Sequence, residues 1–398
     1  MGFLTVNEIV ECLADDSFIG ASAWYDDFAQ APVVCGPLPW ERRGGIREWT
    51  ELDGHEAFAE AQIRLGVRSR RDFNTALRIA LMRCHRDSLR EWALSLEPWD
   101  GKKRAETLLR DMLGSTGSDL ERIAWGTFMR GAFMRCLAPG IKFDYVPVLV
   151  GSQGCGKSTF CRLLAPRESW YLDGPSDLSN AKEAAEQMRG KMICELSELS
   201  GMSRHRTEAV KAAITRQTDT YRPPYAERTR DYPRRCVFVG TTNRVDFLDD
   251  RTGNRRFIPL VCGVVAPKIS VHEEAAARRY IGACWSEIAA EYASTGRLTL
   301  SLSVEVEREL DEVRESYESA DDRIGIIQEY LTTKQGQMVC TSMVAIEGLS
   351  MDREAFIGSR ALQREITDIL DNSCPGWVCR GKRRLGSYGT VKCWEYLG

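Results

Sequence analysis

"VPVLVGSQGCGKSTF", residues 146 to 160, sets an apolar run against a helix-forming run, with a glycine-rich turn between them. Gly151, four residues, Gly156, Lys157 and Ser158 occupy every fixed position of a phosphate-cradling loop. The spacing has a physical cause. Glycines let backbone N–H groups curl around a phosphate, and the N-terminus of the following helix adds partial positive charge. Gly151, Gln153, Gly154, Cys155, Gly156, Lys157, Ser158 and Thr159 are therefore the expected lining of a nucleotide site. Lys157 is expected to reach the outer phosphates of ATP, and the Ser158 hydroxyl to ligate Mg2+.

Working outward, the sequence from 144 to 262 alternates short apolar runs with polar or helical segments. "YVPVLV", "MICEL", "CVFVG" and "FIPLV" are four such runs. Buried strands separated by helices of crossover length predict a parallel α/β sheet. "GKMICELSEL" ends an apolar run in Glu195, with Glu198 three residues later. Glu195 is expected to hold the metal, and Glu198 to polarise the attacking water, although the offset leaves the division of roles open. "CVFVGTTN" delivers Thr241, Thr242 and Asn243 to a third strand end, where an amide can touch a terminal phosphate or orient water.

The flanks are helical. "TALRIALMRCHRDSLREWALSL" and "DLERIAWGTFMRGAFMRCLA" have helical periodicity, with Pro-Trp-Asp-Gly at 98–101 between them. A further strongly periodic stretch, "EEAAARRYIGACWSEIAAEYA", follows the sheet. The reading divides the chain into a small domain of uncertain fold (1–75), a helical domain (76–140), the phosphate-loop core (141–270), a helical segment (271–323) and a winged-helix-like domain (324–398). In the last, "SRALQREITDIL" reads as an amphipathic helix. "GWVCRGKRR" and "TVKCWEY" read as a hairpin that carries Arg380, Lys382, Arg383 and Arg384 on a wing suited to duplex DNA.

The chain has 398 residues and a net charge of −3, so any contact with nucleic acid must come from local clusters. Residues 204–235 form one, with nine Arg and Lys against four acids, and 380–392 form the other. No 18-residue apolar run is present and the first residues lack a basic n-region, so neither a membrane partner nor secretion is expected. The 14 cysteines lack paired spacing and are read as reduced thiols, which fits a cytoplasmic setting. Cys374, Cys379 and Cys393 lack the companions of a zinc site.

Five segments stand in an order that resembles one family: "WDGKKR", "APGIKFDYVPVLVGSQGCGKST", "GKMICELSELSG", "TDTYRPPYAERTRDYPRRCVFVGTTN" and "FLDDRTGNRRFIPL". They resemble virulence-associated protein E family proteins, phage- and mobile-element-encoded ATPases similar to superfamily 3 helicases of the AAA+ fold. The resemblance spans roughly residues 75–300. It implies a homo-oligomeric ring, expected to be a hexamer, with ATP bound between subunits. Gly156, Lys157 and Ser158 act as Walker A, Glu195 and Glu198 match the Walker B region, and Asn243 matches the sensor asparagine. Arg255 and Arg256 match the arginines that complete the neighbour's site, since a guanidinium fork neutralises charge that develops on phosphate oxygens.

The resemblance further implies a hairpin that points into the pore and grips single-stranded DNA. Arg222, Tyr225, Arg228 and Arg230 are expected there, and Lys211 lines the nucleotide or the pore. Cations track phosphates while tyrosines stack on bases. The function that follows is an ATP-dependent helicase or translocase in DNA replication, supplied with primers by a separate primase in a bacterial host. The alternative is a DNA-bound ATPase switch that never translocates.

Overall fold

The computed structural model describes residues 4–41, 45–175, 178–197, 204–222, 228–243, 254–315, 317, 322–372 and 374–397. The expectations for Glu198 and Tyr225 lie outside the described residues. By packing, the chain forms two compact units, Met1–Glu318 and Ser319–Gly398.

The first unit begins with short strands β1 (Ala23–Asp26), β2 (Ala31–Val34), β3 (Arg47–Glu48) and β4 (His85–Arg86), in the order β3-β2-β1-β4. Helices Val6–Ala14, Glu51–Leu65 and Arg70–Arg83 supply apolar faces, and Leu13, Ala57, Phe73 and Leu77 share one core. Helix Arg70–Arg83 therefore crosses the expected boundary at residue 75. The helical pattern over 75–96 is not one helix. It breaks at Cys84, where His85 and Arg86 pair in parallel with Tyr25 and Asp26. The buried Asp26 carboxylate accepts the Ser88 backbone N–H at 3.0 Å and its hydroxyl, and Asp87 caps the next helix, Ser88–Leu94. These tertiary hydrogen bonds outweigh continuous helix propensity.

The centre of the unit is a parallel sheet. Its strands enter in chain order as β5 (Val146–Val150), β6 (Tyr171–Asp173) and β7 (Ile193–Ser197). An antiparallel ribbon of β8 (Thr218–Tyr221) and β9 (Arg230–Pro233) comes next, then β10 (Val237–Thr242) and β11 (Phe257–Val261). The sheet order is β11-β5-β10-β7-β6, with every pairing parallel. Side chains alternate between faces. Leu149, Ile193, Val239 and Ile258 face one core with helices Asp119–Leu137, Lys157–Leu164 and Glu274–Thr295. Val148, Cys194, Phe238 and Phe257 face a second core with helices Ala181–Gln187 and Arg204–Thr215. Glu195 and Thr241 share parity with Ile193 and Val239, so both belong to the face that carries the helix after the glycine loop.

In the second unit, helices Asp322–Thr332, Arg353–Gly358 and Arg360–Asn372 accompany strands β12 (Val339–Cys340), β13 (Trp377–Leu385) and β14 (Gly389–Tyr396). The antiparallel order is β12-β14-β13, around a core that includes Ile366, Leu370, Trp377 and Trp394. No described helix is long and apolar enough to cross a membrane.

The β8–β9 ribbon rests on a buried ion pair. Arg234 Nε donates to Asp219 Oδ2 at 2.7 Å, and Arg234 Nη1 donates to the Ala213 carbonyl at 2.8 Å. Asp219→Ala leaves that guanidinium buried without its carboxylate, and the expected loss is about 3–5 kcal/mol of unfolding free energy in urea titration. An unchanged midpoint would show that the pair does not anchor the ribbon.

Candidate nucleotide site

β5 runs directly into the glycine loop, and helix Lys157–Leu164 begins where the loop closes. Gly156 has φ of +91°, and a Cβ there would stand 2.5 Å from Val271 Cγ2, so only glycine passes this point without moving the backbone. The Lys157 ammonium folds back on the loop. It donates to the carbonyls of Gly151 at 2.7 Å and Ser152 at 2.9 Å, with Cys155 Sγ at 3.6 Å. This geometry holds the cation over the loop and within reach of an anion seated in it.

Glu195 organises the floor. Its residue is fully buried, and its carboxylate accepts hydrogen bonds from Ser158 Oγ at 2.7 Å and Thr241 Oγ1 at 2.6 Å on one oxygen. The other oxygen accepts from Tyr171 OH. Three hydroxyls from three different elements thus converge on one buried carboxylate, which makes its burial tolerable. Burial, and then the neighbouring carboxylate, push the Tyr171 phenol far above its ordinary range, so it stays a donor. A serine hydroxyl beside a carboxylate at the head of a glycine loop is a donor set that suits a hard divalent cation and a phosphate chain.

Gly151 N–H donates to the Thr242 carbonyl at 3.2 Å, which ties the end of β10 to the first loop residue. Asn243 follows immediately and is exposed. Gly151, Lys157, Ser158, Glu195 and Asn243 therefore gather at the C-terminal ends of adjacent strands. Arg255 and Arg256 do not join them. They form a short helical turn, Asn254–Arg256, ahead of β11, whose Phe257 pairs with Val146 and whose Val261 pairs with Val150. The arginines stand at the opposite edge of the sheet, roughly 13 Å of strand away from the loop of the same chain. There they line a cavity of about 410 Å³ with Lys142, Asp144, Tyr145 and Glu307.

The remaining predicted residues fall elsewhere. Arg222, Arg228 and Arg230 are exposed around the connection of the β8–β9 ribbon, with Arg230 opposite Tyr221. Lys211 is buried in helix Arg204–Thr215, 3.9 Å from Glu208, rather than open to a ligand. In the second unit Arg380, Lys382, Arg383 and Arg384 are exposed along β13, and Arg380 pairs with Glu395 at 2.8 Å.

A family model, the virulence-associated protein E-like domain, matches residues 94–319, over half of the chain. The chain belongs to this family. No curated protein matches. Among solved structures, this chain is similar to "The apo structure of NrS-1 C terminal region (305-718)". That match has 12% identity and a TM-score of 0.48, and it covers 100% of each chain. It is also similar to an A-form apo structure of the NrS-1 C-terminal region at 12% identity and a TM-score of 0.48, covering 99% of this chain and 100% of that one.

The virulence-associated protein E-like match encloses the glycine loop, Glu195, Asn243 and both arginines. Tyr171 is the site residue that sequence reasoning missed. It lies 24 positions before Glu195 in a three-residue strand with no motif, and only the β6–β7 register brings it near. Tyr171→Phe removes one hydrogen bond to a buried charge, so unfolding in urea should become easier by about 1.5–3 kcal/mol. A loss below experimental error would show that Glu195 is satisfied without it.

Proposed function

We propose that this chain is a Mg-ATP-driven DNA motor of a phage or mobile element, which acts in DNA replication as a homo-oligomeric ring. The observation that carries the reading is the convergence of Ser158 and Thr241 on the buried Glu195 carboxylate at the mouth of the glycine loop. In this reading the backbone N–H groups of the loop after Gly151, through Thr159, hold the phosphates. Lys157 turns from the Gly151 and Ser152 carbonyls to the outer phosphate oxygens. Ser158 and Glu195 hold Mg2+, which when bound neutralises charge on the transferred phosphoryl group. Asn243 orients water beside the loop, and Glu198 takes the water-polarising role expected of it from its place after the apolar run. A parallel sheet with the loop after one inner strand and Asn243 after the next supports a P-loop core of the AAA+ type.

The sheet geometry supports action between subunits. Arg255 and Arg256 stand at the edge opposite their own glycine loop, so the phosphate they meet belongs to a neighbour. That is the chemistry of an arginine finger, which is worth roughly 10³–10⁵ in turnover in other phosphoryl-transfer enzymes. The exposed arginines of the β8–β9 ribbon suit a single strand threaded through such a ring. The basic β13–β14 hairpin beside helix Arg360–Asn372 suits duplex DNA, in the manner of a winged helix. Subunit number is proposed as six, the cytoplasm of a bacterial host as the setting, and a separate primase as partner.

Two measurements test this. Steady-state ATP hydrolysis should rise severalfold as single-stranded DNA is added, vanish in Lys157→Ala, and lose its stimulation in Arg228→Ala/Arg230→Ala. Slow hydrolysis indifferent to single strands would favour a DNA-bound switch instead. Separately, Lys157→Ala should be inactive alone and Arg255→Ala/Arg256→Ala should keep only a small residual turnover, yet the two should regain part of the activity when mixed. Mixtures as inactive as their components would argue against shared sites.

A further inference from the structure

Helix Val304–Glu315 carries Arg314, which is 2% exposed. Its partners are unusual for a residue in so charged a helix. Arg314 Nε donates to the Phe257 carbonyl at 2.8 Å, and Nη2 donates to the Arg255 carbonyl at 2.7 Å. The guanidinium fork therefore straddles Arg256, fixing the backbone on both sides of it. Behind the fork, Nη1 pairs with Asp311 at 2.7 Å and with Glu307 at 3.3 Å. The second oxygen of Glu307 accepts Tyr145 OH at 2.6 Å. Tyr145 immediately precedes β5, the strand that ends in the phosphate loop.

We propose that Arg314 is the positioning residue of the Arg255–Arg256 turn, and that Glu307 and Tyr145 lock this clamp to the root of the phosphate-loop strand. The proposal rests on the reading of those arginines as acting on a neighbour's nucleotide. The physical grounds are direct. A turn at a strand entrance has carbonyls to which no strand partner donates, and a planar guanidinium fork holds two of them with donors fixed in one plane, whereas an ammonium is a point charge on a flexible stem. Burying a guanidinium is costly, and two carboxylates and two carbonyls offset that cost only in a fixed geometry. That fixed geometry is what a long, flexible arginine needs from its backbone if it is to meet a phosphate on another molecule. The same network joins the turn to Tyr145, so the position of the arginines and the root of the chain's own nucleotide strand are held by one set of contacts.

The test is steady-state ATP hydrolysis by the full-length protein carrying Arg314→Lys. Lysine keeps a positive charge beside Asp311 and Glu307 but lacks the rigid fork that holds both carbonyls and both carboxylates at once. We expect kcat to fall about tenfold or more, with KM for ATP within about twofold of the unsubstituted protein, because its own phosphate loop is untouched. Added to Arg255→Ala/Arg256→Ala, the same substitution should cost no further turnover, since it acts only through residues already removed. Tyr145→Phe, which deletes one hydroxyl at the far end of the network, should move kcat in the same direction by a smaller factor.

Unchanged kcat in both Arg314→Lys and Tyr145→Phe overturns the clamp. So do losses that multiply in the triple variant, which would mark Arg314 as a general structural support. If Arg255→Ala/Arg256→Ala itself turns over normally, the arginine reading falls and takes the clamp with it, a result distinct from failure of the clamp alone.

Discussion

Everything at the glycine loop depends on one buried carboxylate. Glu195 sits on β7, an inner strand of the parallel sheet, without exposure to water, where an unsatisfied charge would cost several kcal/mol. It is tolerated because Tyr171 on β6, Thr241 on β10 and Ser158 on the loop helix all donate to it. Those bonds act in both directions. They keep the carboxylate aimed at the loop, and they fix three elements in register around it. The serine that fits a metal ion is thus held in place before any ligand arrives, which is what preorganisation means in physical terms.

The parallel sheet then imposes a second constraint. Parallel strands present all their C-terminal ends on one edge, so the loop, Glu195 and Asn243 collect there as a matter of topology. β11 obeys the same rule, and its leading residues, Arg255 and Arg256, are consequently carried to the other edge. No side-chain rotation closes a gap of roughly four strand residues. Under the proposed function, a chain built in this way has a complete phosphate cradle and a complete pair of arginines but not both at one site. Association would be a requirement of the chemistry rather than an addition to it.

Much of this was legible in the sequence, and for identifiable reasons. The four longer strands of the sheet are apolar runs bounded by glycine or polar residues, and a glycine loop with fixed spacing leaves little room for another fold. β6 was not legible, because three residues, Tyr171–Asp173, carry no periodicity. β4 was hidden for the opposite reason. His85 and Arg86 lie inside a helical pattern that runs on regardless, and only pairing to Tyr25 and Asp26 breaks it. Arg314 was invisible in "VEVERELDEVRE", where every charge looks like part of a solvated face. Lys211 shows the same ambiguity reversed, since a basic residue in a basic cluster proved buried. Composition reports how many charges a segment has, whereas burial is decided by neighbours far away in sequence.

The connection between the basic ribbon and the carboxylate is covalent and short. β9 ends at Pro233, Arg234 is pinned beneath it by Asp219, and β10 begins at Val237 and carries Thr241 against Glu195. The foot of the ribbon is therefore buried and stiff, while Arg228 and Arg230 above it stay in water. A shift of Thr241 relative to Glu195 must either stretch a 2.6 Å hydrogen bond or move the whole strand. Packed cores resist continuous deformation and favour discrete rearrangement. If hydrolysis alters what Glu195 contacts, the stiff path through β10 and Arg234 is the one along which that change reaches the exposed arginines. The buried ion pair at the foot is what would make the ribbon move as a unit rather than bend.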